Sequence, residues 1–112
     1  MEKLTELYCQ PVPEGTAAMP QQEAADKLVQ IPGWEVSPQN DRLTADFHFK
    51  NYYETIAFVN AVAWIAHTED HHPHLLVGYN KCTIVYNTHT VKGLSLNDFI
   101  CAAKVNQLRS HL

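Results

Sequence analysis

The sequence predicts an α+β fold in which three helices pack on one face of a four-stranded antiparallel sheet. Apolar residues recur at helical spacing in three segments. The segments between them alternate apolar with polar residues, as strands do when only one face is buried. The predicted order is helix, strand, strand, helix, strand, strand, helix, which suits helices layered on an antiparallel sheet.

The length predicts one domain preceded by a short arm. A chain of 112 residues can bury roughly two-thirds of its unfolded surface, enough to fold without disulfides or metals. Residues 1–18 contain Pro11, Pro13 and Gly15 and show no sustained periodicity. We therefore expect an irregular N-terminal arm over residues 1–18 and a single domain over residues 19–112.

The first predicted helix runs from Pro20 to about Gln30. Proline suits the first turn of a helix, and Pro32 with Gly33 ends the periodic segment. Two strands follow, around residues 34–36 and 43–50. In the longer strand, one face is predicted to be buried, and it carries Leu43, Ala45, Phe47 and Phe49.

The second helix is predicted from Tyr52 to about His67. Asn51 and Glu54 have the spacing of a capping pair at its start. Apolar residues between positions 56 and 66 cover more than one stripe of this helix. Because so small a domain can cover only one side, we expect a second subunit to cover the other.

Two further strands and the last helix complete the prediction. Pro73 turns the chain into an extended path, followed by strands at 75–79 and 82–88. Ser95 and Asp98 resemble a capping pair, and the apolar spacing from Phe99 to Leu108 predicts the last helix.

Composition argues against several classes of partner. A formal net charge of -4 and a pI near 5.9 provide no basic surface for nucleic acid. The longest apolar run, from Ile56 to Ala66, is shorter than the roughly 20 residues that cross a bilayer. Cys9, Cys82 and Cys101 form no C-x-x-C motif, which predicts a cytoplasmic protein with structural thiols.

Histidines are concentrated in one stretch of the chain. Five of the seven lie between positions 67 and 89. An imidazole exchanges protons near neutral pH, so we interpret His71, His72 and His89 as a cluster for acid–base chemistry. A paired acid and base could each contribute about 10²–10⁴ in rate, which suits addition or elimination of water.

Other interpretations of the same residues remain open. His67, His71 and His89 could bind zinc, although Thr68 stands where an H-E-x-x-H motif has glutamate. Single histidines such as His67 and His74 also occur as polar residues of exposed turns. Asp98 could act only as a favourable charge at the start of the last helix.

The spacing His67-x3-His71-His72-Pro73-x5-Tyr79-x9-His89-x8-Asp98 resembles the signature of the pterin-4a-carbinolamine dehydratases. Similarity extends over about residues 20–108, including Gly33-Trp34 and Gly93-Leu94-Ser95.

The resemblance implies an enzyme that converts 4a-hydroxytetrahydropterin into quinonoid dihydropterin and water, without a cofactor or a metal. It implies His71 and His89 as the groups that transfer protons and His72 as a residue that holds the pterin. It further implies substrate-binding positions, namely Asp70, Asn87, Thr88, Thr90 and Asp98.

The resemblance also implies partners. Family members recycle the pterin cofactor of aromatic amino-acid hydroxylases, and they form homodimers or homotetramers. Animal members also act as dimerisation partners of a transcription factor, so two alternatives stay open: a non-catalytic dimerisation or coactivator module with the same fold, and a dehydratase of another pterin pathway. His67 is a departure, since animal members often have glutamate there.

Overall fold

The computed structural model describes residues 2–111, so Met1 and Leu112, the outer limits of the predicted arm and domain, lie outside the described residues. The chain forms the predicted order of helices and strands. The elements are α1 (Gln21–Lys27), β1 (Glu35–Val36), β2 (Leu43–His48), α2 (Tyr52–Glu69), β3 (His74–Val77), β4 (Lys81–Tyr86) and α3 (Leu96–Ser110). The α+β prediction is confirmed.

The four strands form one antiparallel sheet in the order β1-β2-β4-β3. In the central pair, Leu43 lies opposite Tyr86 and His48 opposite Lys81. Strand β3 pairs only with β4 among the described strands, so it forms an edge of the sheet.

The core lies between the helices and one face of the sheet. Alternate side chains of the two central strands are buried, as the period of two predicts. They meet buried residues of α2 and α3 in one cluster, which includes Leu43, Ala45, Phe58, Val62, Ile84, Tyr86, Phe99, Ile100 and Val105. None of the helices within residues 2–111 has both the length and the hydrophobicity needed to cross a membrane.

The boundaries of the first helix differ from the prediction. Pro20 has an extended backbone and caps α1, and the chain tightens into a 3₁₀ turn over Leu28–Gln30. Residue 31 precedes Pro32, which disfavours the helical conformation there and so ends the helix.

Helix α2 begins at the predicted cap and ends two residues later than predicted. The backbone N–H of Glu54 donates to Asn51 Oδ1 (2.9 Å), and Glu54 Oε1 accepts from the N–H of Lys50 (3.1 Å). One stripe of the helix is buried in the core, while Trp64 is 68% and Tyr53 83% exposed. The apolar surplus noted in the sequence therefore faces outward.

The arm is attached to the domain. Leu4 is buried in the core, and its N–H donates to Gln30 Oε1 (2.9 Å). Met19, at the other end of this segment, is also buried and donates to Leu94 O (2.8 Å). Residues 5–18 therefore form a segment fixed at both ends.

The cap at Asn51 yields a first prediction. Asn51→Ala should lower the free energy of unfolding by about 1 kcal/mol, because Glu54 N–H loses its acceptor. Asn51→Ser, which restores an acceptor at the same position, should remain within a few tenths of a kcal/mol of the unsubstituted chain. Urea unfolding followed by circular dichroism measures both; equal midpoints for the Ala and Ser variants would contradict the prediction.

Candidate active site

The end of α2 determines where His71 points. Asp70 takes a left-handed conformation (φ 53, ψ 45), which aspartate tolerates better than most residues. The N–H of His71 donates to Ala66 O (3.1 Å) and that of Asp70 to His67 O (3.3 Å), a pattern that closes helix C-termini. The chain thus leaves the helix at His71, and Pro73 keeps it from turning back into one.

A buried carboxylate holds the His71 ring. His71 Nε2 donates to Asp98 Oδ1 at 2.6 Å, and Asp98 is completely buried. Its second oxygen, Oδ2, accepts from Thr88 Oγ1 (2.8 Å) and from the N–H of Ser95 (2.9 Å). The predicted Ser95–Asp98 capping box is therefore present, and the same carboxylate also binds the histidine.

Tyr86 restricts the orientation of the plane of the His71 ring. The two aromatic rings stack with centroids 5.7 Å apart and planes 8° from parallel. Tyr86 is fully buried, and its hydroxyl has no hydrogen-bond partner within residues 2–111. Burial, together with the neighbouring Cys101, raises the pKa of that hydroxyl above its usual value, so it stays protonated. The bond to Asp98 therefore fixes the direction of Nε2, and the stack with Tyr86 fixes the plane of the His71 ring.

A cavity of about 380 Å³ opens beside His71, within the usual size range for small-molecule sites. It lies between the arm, the end of α2 and the turn that follows β4. Its lining consists of Cys9, Gln10, Pro11, Val12, Thr68, Glu69, Asp70, His71, Thr88, Thr90 and Asn97.

The structure brings together part of the predicted site. Asp70, His71, Thr88 and Thr90 line the cavity, and Asp98 lies directly behind His71. The lining residues come from the end of α2 and from the segment after β4, and Asp98 comes from the first turn of α3.

The other predicted residues lie next to this group without lining the cavity. His72 follows His71 and is exposed, and His89 is exposed in a 3₁₀ turn between Thr88 and Thr90. Asn87 is half-buried and precedes Thr88. Of the three predicted histidines, only His71 lines the cavity, whereas His72 and His89 are chain neighbours of lining residues.

The residues of the alternative zinc interpretation do not form a cluster of metal ligands. Among residues 2–111, no three His, Cys, Asp or Glu side chains are clustered as metal ligands would be. His67 is exposed on α2, where its ring packs 5.6 Å from that of Trp64. The alternative that combined His67 with His71 and His89 is therefore not supported by the geometry.

Sequence analysis missed the arm as part of this site. The N–H of Cys9 donates to Glu69 Oε1 (2.8 Å), and Glu69 Oε2 pairs with Lys104 Nζ (2.7 Å). Asn97 accepts from the N–H of Gln10 (3.0 Å) and donates to its carbonyl (2.8 Å). These partners are 60 and 87 residues apart in the chain, and no local pattern indicates such contacts.

Two cysteines also meet behind the cavity. Cys9 Sγ lies 3.6 Å from Cys101 Sγ, and both are free thiols. The contact with Cys101, followed by burial, raises the pKa of the Cys9 thiol far above its ordinary value. Cys9 is therefore held as a neutral thiol, unsuited to act as a nucleophile.

A larger cavity of about 470 Å³ lies elsewhere, between the end of β2, the first turns of α2 and Arg109. Its only histidine is His48, and the predicted site residues do not line it. The cavity that contains the predicted site residues is therefore not the larger of these two cavities.

Comparison with known proteins identifies similar chains. The family model described as pterin 4 alpha carbinolamine dehydratase matches residues 17–108. A protein of Nitrosomonas eutropha, provisionally named a pterin-4-alpha-carbinolamine dehydratase, is 50% identical over 106 residues, covering 94% of this chain and 92% of the relative.

Solved structures share the fold. A transcriptional coactivator/pterin dehydratase from Brucella melitensis superposes with a TM-score of 0.77 at 26% identity, covering 81% of this chain and 97% of that one. A pterin dehydratase-like protein described as a RuBisCO assembly factor in the alpha-carboxysome has a TM-score of 0.60 at 24% identity, covering 70% and 92%. The second likeness concerns the fold alone.

The Glu69–Lys104 pair yields a prediction about pH. Burial opposes ionisation of Glu69, but the N–H of Cys9 and the charge of Lys104 outweigh it and lower the pKa of the carboxyl. Its stabilising contribution should therefore be complete above the ordinary carboxyl pKa and lost as pH falls through the lower folded value. Glu69→Gln should cost roughly 3 kcal/mol at pH 7 and progressively less towards pH 3.

The matched control is Glu23→Gln. Glu23 is half-exposed and pairs with Lys27 at 3.5 Å one turn along α1, so its removal should cost less than about 0.5 kcal/mol. Urea unfolding at several pH values compares the two variants. If both lose the same small amount at every pH, the buried pair does not stabilise the fold as described.

Proposed function

The chain belongs to the pterin 4 alpha carbinolamine dehydratase family of hydro-lyases, and we propose that it dehydrates 4a-hydroxytetrahydropterin by proton transfer between histidines around the cavity. The observation that carries this mechanism is the bond between His71 and the buried Asp98 at the cavity wall. The product would be quinonoid dihydropterin.

The reaction requires two proton transfers. The substrate loses the proton on N5, and the 4a-hydroxyl leaves as water after receiving a proton, so one imidazole acts as base and a protonated imidazole acts as acid. We assign these transfers to His71 and His89 and give His72 mainly the role of holding the pterin. Because Nε2 of His71 is bound to Asp98, Nδ1 is the atom left for exchange with the substrate.

Asp98 is better suited to position His71 than to touch the substrate. It is fully buried, and protein donors already occupy both of its oxygens. Such a carboxylate fixes the tautomer and orientation of the ring, as supporting carboxylates do in other proton-transfer sites. The direct contact with pterin that the resemblance implies for Asp98 is therefore not the role we propose.

The polar edge of the pterin would be bound by the part of the cavity lining that lies outside the arm. Asp70 and Thr90 line the cavity there with a carboxylate and a hydroxyl. The Thr88 hydroxyl is already bonded to Asp98 and Ser95, which leaves mainly its backbone for the ligand. Asn87 and His72 flank this part of the lining and could close over the ring.

We further propose that the enzyme recycles the pterin cofactor of an aromatic amino-acid hydroxylase in the cytoplasm. The free thiols Cys9 and Cys101, in contact but unbonded, suit a reducing compartment. Service to a different pterin pathway is the alternative within the enzyme class. A binding module without catalysis is the alternative outside it, and the retained His71–Asp98 pair favours catalysis.

A homo-oligomer is also part of the proposal. The edge strand β3 exposes Leu76 at 74%, and α2 exposes Trp64 at 68%. Unpaired strand edges and apolar helix faces are surfaces that associate readily. Pairing of β3 with its copy would give a dimer, and contact through α2 would then assemble dimers into a tetramer.

The assignment of histidines can be tested with a hydroxylase that generates the carbinolamine. His71→Ala and His89→Ala should each slow the catalysed decay of its absorbance by about 10²–10⁴, without unfolding, because each removes one proton-transfer group. Asp98→Asn should act in the same direction by a smaller factor. His48→Ala, which removes an exposed histidine outside the site, should have no effect. Unchanged rates in both His71 and His89 variants, or bound zinc whose chelation abolishes activity, would refute the mechanism.

The oligomer can be tested by sedimentation equilibrium. Leu76→Asp should disrupt pairing through β3 and reduce the mass of the particle to that of a monomer or of an α2-linked pair. Trp64→Asp should leave a dimer if the native particle is a tetramer, and should change nothing if it is a β3-linked dimer. A monomeric unsubstituted chain at micromolar concentration would disprove the association.

A further inference from the structure

We propose that residues 9–12 of the arm, the arm wall, form a specificity element of the pterin cavity that contacts the apolar part of the substrate and its C6 substituent. This inference rests on the proposed function, because it takes the cavity beside His71 as the pterin site. The family model matches residues 17–108, so the arm wall lies outside the region shared with that model.

The arm wall is held firmly against the cavity. Asn97 bonds both backbone groups of Gln10, and Glu69 accepts from the N–H of Cys9. Cys9 Sγ also approaches Asn97 O at 3.5 Å. A segment with three hydrogen bonds to two buried side chains keeps its shape when the cavity is empty, which reduces the entropy cost of binding.

Apart from the Gln10 side chain, whose amide donates to Tyr8 O (3.4 Å), the side chains of Pro11 and Val12 in the arm wall are apolar. The backbone groups of Gln10 are already paired, proline has no N–H, and Val12 adds an apolar side chain. The lining outside the arm carries the hydroxyl, carboxylate and imidazole groups of Thr90, Asp70 and His71. A flat heterocycle with one polar edge would therefore direct that edge towards those groups and its apolar side towards the arm wall.

In this arrangement, the residues that bind the apolar part of the substrate are different from the residues that transfer protons. The proton-transfer groups lie on the domain, whereas the arm wall meets a part of the substrate that does not change during the reaction. Contacts of that kind stabilise the bound substrate and the transition state equally, so their loss raises KM more than it lowers kcat. Variation in the arm wall would change which C6 substituent is accepted while the catalytic groups stay the same.

Two variants test the proposal, each measured with carbinolamines that carry a 6-methyl or a 6-dihydroxypropyl group. Asn97→Ala releases Gln10 and should raise KM for both substrates roughly tenfold, because the arm wall must then be ordered when the substrate binds. Val12→Phe adds bulk to the arm wall. It should raise KM roughly tenfold for the larger substrate and less than about twofold for the smaller one.

Asn106→Ala is the matched control. Asn106 also lies on α3, and its amide accepts from Trp34 Nε1 (2.9 Å) and donates to Pro32 O (3.0 Å), so it too holds a distant segment. Its loss should lower stability without changing KM or kcat. Proteolysis within residues 9–16 should be faster in Asn97→Ala than in this control, which reports release of the arm directly.

A binding measurement distinguishes the proposal about the arm wall from the proposed dehydration mechanism. It uses the corresponding oxidised pterins, whose fluorescence reports binding. If the unsubstituted chain binds these pterins but does not accelerate dehydration, the mechanism fails, and weaker binding of the larger pterin by both variants still supports the arm wall. If catalysis is normal while KM and Kd stay within twofold in Asn97→Ala and Val12→Phe, the arm wall is refuted alone. Absence of any pterin binding refutes both.

Discussion

The buried carboxylate of Asp98 is the constraint around which this fold is arranged. A charge without access to water is unfavourable unless donors surround it, and removal of one donor leaves part of that charge uncompensated. The donors come from three separate segments: His71 after α2, Thr88 after β4, and Ser95 before α3. Satisfying one carboxylate therefore fixes the relative positions of the segments that enclose the cavity.

The last turn of α2 connects this network to the arm. Glu69 and His71 stand on either side of the left-handed Asp70, and the change in backbone direction sends their side chains to different partners. Glu69 binds the arm and Lys104, whereas His71 binds Asp98. Two buried pairs, Glu69–Lys104 and His71–Asp98, thus lie beside the cavity, and both depend on the backbone geometry at the end of α2.

The fold and part of the site could be predicted from sequence because their determinants are local. The periodicity of β2, the caps at Asn51 and Ser95, and the break at Pro73 each act over a few residues. They also imply that the end of α2 and the segment after β4 are near each other, since both adjoin one sheet.

The remaining features depend on contacts between distant parts of the chain. Cys9 meets Glu69 and Cys101 across 60 and 92 residues, and neither contact has a sequence pattern of its own. The arm was predicted as irregular from its prolines, and irregular backbone can still pack when side chains elsewhere supply its hydrogen bonds. Likewise, the spacing between Ser95 and Asp98 indicates a helix cap, and it does so whether or not the other carboxylate oxygen of Asp98, Oδ1, binds a histidine.

The distribution of burial explains how this fold can serve more than one purpose. Asp98, Glu69 and Tyr86 are buried and hold the scaffold, whereas His72 and His89 are exposed, so replacing the latter two should disturb packing little. The scaffold does not need the exposed histidines, but the proposed chemistry does. A chain with this architecture could therefore lose catalysis and keep its shape, which is consistent with the same fold occurring in a protein described as an assembly factor. In the present chain both exposed histidines are present in segments next to residues that line the cavity, and the proposed acid–base chemistry depends on them.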